Sequence, residues 1–294
     1  MRLWNNGNEL EFFRKALENH TPPEKLFYKL GTEYYAYIPK NYNTQGQTLQ
    51  SRNSLIGQFT EKWTRNIIDP IAKENRLYAL NNVECEEIGL SKNSKADLAL
   101  CSTNSTNQTA NNIKLIFEIK MSIVSNYKYT APNHITLLGD YKTHKGIPSL
   151  LRFDSMLKAI GKSINIKVSS IKAAKIPVII LGNSPIKKSY EHKVDFLKTT
   201  GVVQGFWSLN PDIFNGKEYI EKTTGSGFLT IKNHYILQKC IKELLRNEMN
   251  YFSSMLPKSK LGEYIYAANK ENSNDKKAEK FLKSIRSTQC KNTE

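Results

Sequence analysis

The stretch Ile113-Lys114-Leu115-Ile116-Phe117-Glu118-Ile119-Lys120 constrains the fold more than any other. Successive strand residues point to opposite faces, so Leu115, Phe117 and Ile119 share one face. That face should pack into a core, while Lys114, Ile116, Glu118 and Lys120 occupy the other. The strand is expected to run on to Val124. Before it, Ala96–Cys101 reads as a second strand, and the linker Ser102–Asn112, almost wholly Ser, Thr and Asn, makes the two a hairpin. Val83–Ile88 reads as a further strand. After them come a helix (Leu150–Ile164), a continuously apolar run ending at Gly182 and typical of a buried strand (Ile176–Leu181), a helix (Tyr190–Thr199) and a strand (Gly201–Leu209). Helix, three strands, helix, strand, helix, strand is the order of an α/β domain with a mixed sheet.

The flanks are more helical. Leu10, Phe13 and Leu17 put one stripe on a helix over Asn8–Asn19, and Leu55, Phe59, Trp63 and Ile67 do the same over Ser54–Asp69, with Pro70 marking an end or kink. Tyr34–Pro39 reads as a short strand, and Asn41–Asn53 and Leu137–Pro148 as loops. Leu237, Ile241, Leu244 and Leu245 define an amphipathic helix over Tyr235–Met249, and the Lys/Asn/Ser-rich tail from Asn269 is expected to fray. The divisions that follow are an N-terminal extension (1–53), a core (54–209), a helical addition (210–268) and a flexible basic tail (269–294).

Forty-three Lys and Arg against 27 Asp and Glu leave a net charge of +16. Such a field suits phosphate polyanions or anionic membranes, although a merely basic soluble protein would carry it too. No apolar run reaches the roughly 20 residues of a membrane span, and the N-terminus lacks the apolar run of a signal peptide. The four cysteines form no Cys-x-x-Cys pair, which points to reduced thiols in a cytoplasmic protein. Gly225-Ser226-Gly227 is too short for a phosphate loop and no Walker pattern occurs, so no nucleotide cofactor is expected. Nucleic acid is the favoured partner.

On the polar face of the third strand, Glu118 and Lys120 are neighbours two residues apart, and the hairpin can bring Asp97 beside Glu118. Two carboxylates meeting at one point need a neutralising cation, and hard oxygen ligands favour Mg²⁺. Lys120 could then orient or help deprotonate an attacking water and offset charge growing on a phosphate.

Lys95-Ala96-Asp97 followed by Glu118-Ile119-Lys120 resembles the PD-(D/E)xK nuclease superfamily, which includes many type II restriction endonucleases. Ala96 stands where the pattern often has Pro. The resemblance covers roughly Ser54 to Leu209. It implies a restriction-endonuclease-like core, with a central mixed sheet flanked by helices and with helical additions. It also implies Mg²⁺ held by Asp97, Glu118 and the backbone carbonyl of Ile119, with Lys120 as the catalytic lysine. Glu61, on the preceding helix, is the candidate for a further acid; a solvated Glu paired with Arg65 fits it equally.

Candidate DNA contacts follow the strand: Ser125, Asn126, Lys128 and Tyr129, then Lys142, His144, Lys145 and Arg152. The leading expectation is a type II restriction endonuclease acting on double-stranded DNA as a homodimer. A structure-specific repair or recombination nuclease and a non-catalytic basic DNA-binding protein are the alternatives.

Overall fold

A computed structural model describes residues 3–44, 46–132, 134–211, 220–246 and 258–290. They form two units, Met1–Tyr251 and Phe252–Glu294. The first runs α1 (Asn6–Glu18), α2 (Pro23–Leu26), β1 (Tyr28–Leu30), β2 (Glu33–Tyr35), α3 (Gln50–Glu74), β3 (Tyr78–Val83), β4 (Ala96–Cys101), β5 (Ile113–Ile119), β6 (Asn126–Thr130) and β7 (His134–Gly139). It continues with α4 (Phe153–Ser169), α5 (Ile171–Ala174), β8 (Val178–Gly182), α6 (Glu191–Thr199), β9 (Gly205–Ser208), β10 (Phe228–Thr230) and α7 (His234–Arg246). The second contains α8 (Lys258–Ala268) and α9 (Asn274–Cys290).

The chain is α/β, with a mixed six-stranded sheet of order β10-β9-β8-β5-β4-β3. β3, β4 and β5 pair antiparallel, and β8, β9 and β10 continue from β5 in parallel. Strand alternation divides the core as the pattern of β5 requires. Leu115, Phe117 and Ile119 join Leu98, Leu100, Ile179 and Leu181 in a cluster with Ile67, Ile68 and Ile71 of α3 and Leu237 and Ile241 of α7. Ile116 joins Ala99, Val178 and Ile180 in a second cluster with Met156, Ala159 and Ile166 of α4 and Val194 of α6. Helices therefore cover both faces, and β5 and β8 lie between them as buried strands.

Several boundaries differ from the sequence reading. The first strand of the sheet is Tyr78–Val83, and Glu86–Ile88 is instead a 3-10 turn. β5 stops at Ile119, five residues short of Val124; Lys120 N–H makes a last bond to Leu181 O at 2.7 Å before the chain leaves the sheet. Within the expected loop Leu137–Pro148, Leu137–Gly139 belong to β7, the edge of a four-stranded antiparallel sheet of order β1-β2-β6-β7. α3 starts at Gln50 and passes through Pro70 to Glu74, because an imide there deprives only one carbonyl of its partner. The tail folds as α9, with Ile285 buried. Asn247–Met249, at the end of the helix expected over Tyr235–Met249, lie outside the described residues.

The N-terminal segment packs into the core of the first unit. Trp4, Phe12 and Phe13 belong to the same apolar cluster as β5, and Trp4 N–H bonds Leu209 O at 3.0 Å. Glu9 is fully buried, where four donors meet it: Val124 N–H at 2.8 Å, Ser125 N–H at 3.1 Å, Tyr127 O–H at 3.0 Å and Trp4 Nε1–H at 3.3 Å. Burial pushes the Glu9 carboxyl up to about 7, while these donors pull it back. All four partners donate, so the cage is built for a carboxylate.

Removing that carboxylate strands two buried backbone N–H groups and two side-chain donors. Glu9→Ala is expected to lower the free energy of urea unfolding by about 3 kcal/mol or more. Glu11→Ala, which loses only an exposed pair with Lys15, should change it by roughly 0.5 kcal/mol or less.

Candidate active site

Asp97, Glu118 and Lys120 come together where β4 begins and β5 ends. In the β4–β5 register Leu98 faces Phe117 and Ala99 faces Ile116, so continuing the pairing by one residue sets Asp97 opposite Glu118. Asp97 Oδ2 accepts the Ile119 N–H at 2.7 Å, which locks its side chain across the strand pair. Lys120 Nζ lies 2.6 Å from Glu118 Oε1, 3.6 Å from Asp97 Oδ2 and 3.3 Å from the Ile119 carbonyl oxygen. The lysine thus sits among the three oxygens that the sequence pattern assigns to a cation.

A second ammonium, absent from the sequence reading, completes the cluster. Lys162 of α4 places Nζ 2.7 Å from Glu118 Oε2, 3.3 Å from Asp97 Oδ1 and 2.7 Å from Lys95 O. Two carboxylates therefore face two lysines. Glu118 is only 5% exposed, and its Oε2 makes no hydrogen bond despite the nearby ammonium; that contact is charge pairing without hydrogen-bond alignment. For Lys120, burial works against the charged form, but Glu118 and Asp97 outweigh it and hold the ammonium above its ordinary range.

Glu61 is half-buried beside this group. Burial first, then the charge of Asp97, raises its carboxyl to about 7, against the pull of Lys120 and Lys162. Asn81 ties the two elements together by donating to Asp97 O at 2.7 Å and to Glu61 O at 3.3 Å. Among the described residues no three His, Cys, Asp or Glu side chains converge closely enough to hold a metal ion. Glu61 is a neighbour of the carboxylate pair, close enough to feel the charges of Asp97 and Glu118.

The backbone after Glu118 is held by polar side chains that sequence alone did not single out. Ser149 Oγ donates to Lys120 O at 2.6 Å and accepts from Asn183 N–H at 3.0 Å. Asn183 bonds both backbone groups of Ser122, Oδ1 accepting its N–H at 3.1 Å and Nδ2 donating to its carbonyl at 2.6 Å. Ser149 takes φ +48° to reach this position, a strained conformation for a residue with a Cβ.

The candidate DNA contacts divide into two groups. Ser125, Asn126, Tyr129 and His144 are buried and occupied internally. Ser125 Oγ donates to Asn6 Oδ1 at 2.9 Å, Asn126 Oδ1 accepts the Tyr37 N–H at 2.9 Å, and Tyr129 stacks on Phe27 at 5.2 Å. His144 lies flat on Tyr37 at 4.1 Å; its Nδ1 accepts the Gly146 N–H at 3.0 Å, so Nε2 carries the proton and donates to Val124 O at 2.9 Å. The chain leaving β5 turns inward, and its polar groups satisfy buried backbone instead of reaching a ligand. Lys128 pairs with Glu33.

Lys142, Lys145 and Arg152 are exposed. Lys145 and Arg152 line a cleft of about 480 Å³ that also includes Lys120, Ser122, Asn53 and Ser155. Lys145 Nζ donates to Tyr42 O at 2.5 Å. A larger cavity of about 630 Å³ opens at the other end of β5, by Ile113 and Lys114, and contains none of the cluster residues. Of the cluster residues, Lys120 lines the smaller cleft.

No protein-family model, curated protein or solved structure matches this chain. Among the described residues no helix is long and apolar enough to cross a membrane.

Burial lowers the His144 ring from its ordinary 6.5 to about 4. A depressed folded value means the ring's contribution to stability is complete above the unfolded value and is lost as the pH falls through the folded one. Urea midpoints should therefore fall between pH 6.5 and about 4, and fall less steeply in His144→Gln, whose amide does not titrate over this range.

Proposed function

We propose that this chain is a Mg²⁺-dependent endonuclease of the type II restriction kind, hydrolysing phosphodiester bonds of specific double-stranded DNA. The reading rests on one observation above the rest: Asp97, Glu118 and Lys120 meet at one point, and Lys120 lines a basic cleft. The donors suit a hard divalent cation, since two carboxylates and the Ile119 carbonyl are all oxygen, and Glu118 Oε2 is a buried oxygen without a hydrogen bond. Mg²⁺ bound there would supply Lewis acidity toward the phosphate and lower the pKa of water.

The chain's own groups do the remaining work. Lys120 brings a positive charge to where charge accumulates on the phosphate, a role for an ammonium that needs no proton removed from it. Lys162 opposes repulsion between Asp97 and Glu118 while the site waits for substrate. Ser149 and Asn183 hold the Lys120–Ser122 backbone, and so the direction from which the lysine enters. Lys145 and Arg152 in the cleft, and the exposed Lys142, offer phosphate contacts, consistent with the surplus of 16 positive charges.

Plasmid and viral DNA incubated with the purified protein and Mg²⁺ should give discrete fragments whose sequenced ends share one site. Smears or cuts confined to junctions would favour a repair or recombination nuclease, and binding that never leads to cleavage would favour a non-catalytic DNA-binding protein. Glu118→Gln and Lys120→Met should each slow Mg²⁺-dependent cleavage by roughly 10²-fold or more while leaving gel-shift affinity for DNA within a few-fold of wild type. Lys162→Met should also slow it, by a smaller factor.

A further inference from the structure

Among the described residues no carboxylate pairs with Arg52, although its side chain is only 3% exposed. It sits in the first turn of α3, where Nη1 donates to Leu26 O at 3.2 Å and to Ala36 O. Tyr37 and Tyr28 flank the guanidinium, with ring centroids 4.7 Å and 5.5 Å away. Tyr37 is fixed in turn by its stacking on His144 and by its O–H bond to Ile123 O at 2.7 Å. The guanidinium is clamped in position, yet two carbonyls and two ring faces offset only part of a buried charge.

Both N–H groups of Nη1 are used by the two carbonyls. The Nε–H and the two Nη2–H groups remain, and together they make the side-on edge of the guanidinium, whose parallel donors match two oxygens of one anion. The enclosed polar atoms without a hydrogen bond lie at Glu118, Asn126, Tyr190 and Asn210, so the unused edge of Arg52 is open to solvent. Tying α2 to β2 through Leu26 O and Ala36 O needs two N–H donors and no charge, which a glutamine amide would supply. The charge and the three idle donors are what a ligand explains.

The surroundings select an anion. Arg52 lines the same cleft as Lys120, Lys145 and Arg152, and no Asp or Glu lines it. Lys145 bonds only carbonyls there, Tyr42 O and Thr44 O. Asp154, which meets Arg152 at 3.7 Å, is outside the lining. α3 begins with neither a side-chain cap nor an acid in its first turn, so its leading N–H groups add to the positive potential around Arg52.

We infer that Arg52 is a phosphate receptor, its Nε–Nη2 edge holding two oxygens of one phosphate group in the cleft that Lys120 also lines. It holds substrate and is not one of the reacting groups. That the site takes an anion follows from the cleft; that the phosphate belongs to DNA rests on the nuclease reading.

Fluorescence anisotropy of the full chain in EDTA, on short duplexes with either hydroxyl or phosphate at their 5′ ends, tests this without cleavage. Arg52→Met should weaken binding roughly 10-fold or more. It should also lower the slope of log affinity against log salt by about one, a change that a merely structural role would not produce. Arg52→Lys, which keeps the charge without the fork, should restore the slope and only part of the affinity. Ser155→Asp probes the cleft with Arg52 intact. Ser155 lines the cleft from the first turn of α4, where an acid suits the helix, so this variant should bind weakly at a wild-type melting temperature. Asn104→Asp, the same change of charge on the exposed β4–β5 linker, should stay within about two-fold of wild type. Equal losses on both duplexes assign the phosphate to an internal diester, and a loss confined to the phosphorylated duplex assigns it to a strand end. A folded Arg52→Met with wild-type affinity and slope overturns the inference, as does a Ser155→Asp that binds as well as Asn104→Asp. Cleavage accompanied by either of those results sinks the inference alone. The expected binding losses in a protein that never cuts sink the nuclease reading alone.

Discussion

A carboxylate at the end of a buried strand must be neutralised, and most of this molecule's local architecture follows from that requirement. Glu118 closes β5 with 5% of its surface exposed, and the hairpin register delivers Asp97 to the same point. Unpaired, the two charges would carry a large desolvation cost and repel one another. Lys120 and Lys162 offset that cost from two directions, one from just past the end of the strand and one from the helix packed over it. The arrangement explains why α4 lies where it does, and why the backbone after β5 is fastened by Ser149 and Asn183 instead of continuing as sheet.

The part of the site legible in sequence was the part governed by strand period. Glu118 and Lys120 share a face because side chains alternate, and Asp97 reaches them because a polar linker closes a hairpin; both inferences need only local rules. Lys162 was not legible. On a helix, one lysine among Lys158, Lys162 and Lys167 has no signal marking it as the one aimed at a distant strand. Ser149 and Asn183 were hidden for the same reason, since their partners lie tens of residues away.

The misread residues share one cause. Ser125, Asn126 and His144 are polar and follow a catalytic-looking strand, and in sequence alone such polarity reads as exposure. A segment that leaves a sheet inside a folded unit carries N–H and C=O groups that still need partners. Those polar side chains are the partners, or are held by them. The N-terminal residues show the converse: Trp4 and Glu9 looked peripheral by position but are among the most buried groups of the first unit.

The Glu9 cage also sets an order of events in synthesis. Its donors, Val124, Ser125 and Tyr127, lie more than 110 residues downstream, and the bond from Trp4 reaches Leu209. The first helix therefore leaves the ribosome long before its dock exists, and it must wait, with Phe12 and Phe13 unburied, until the central strands have been made. The backbone that carries Lys120 cannot settle earlier, because Asn183 is still to come. A nascent chain that ends between Lys120 and Asn183 thus holds all three signature residues without the bonds that fasten the backbone after them.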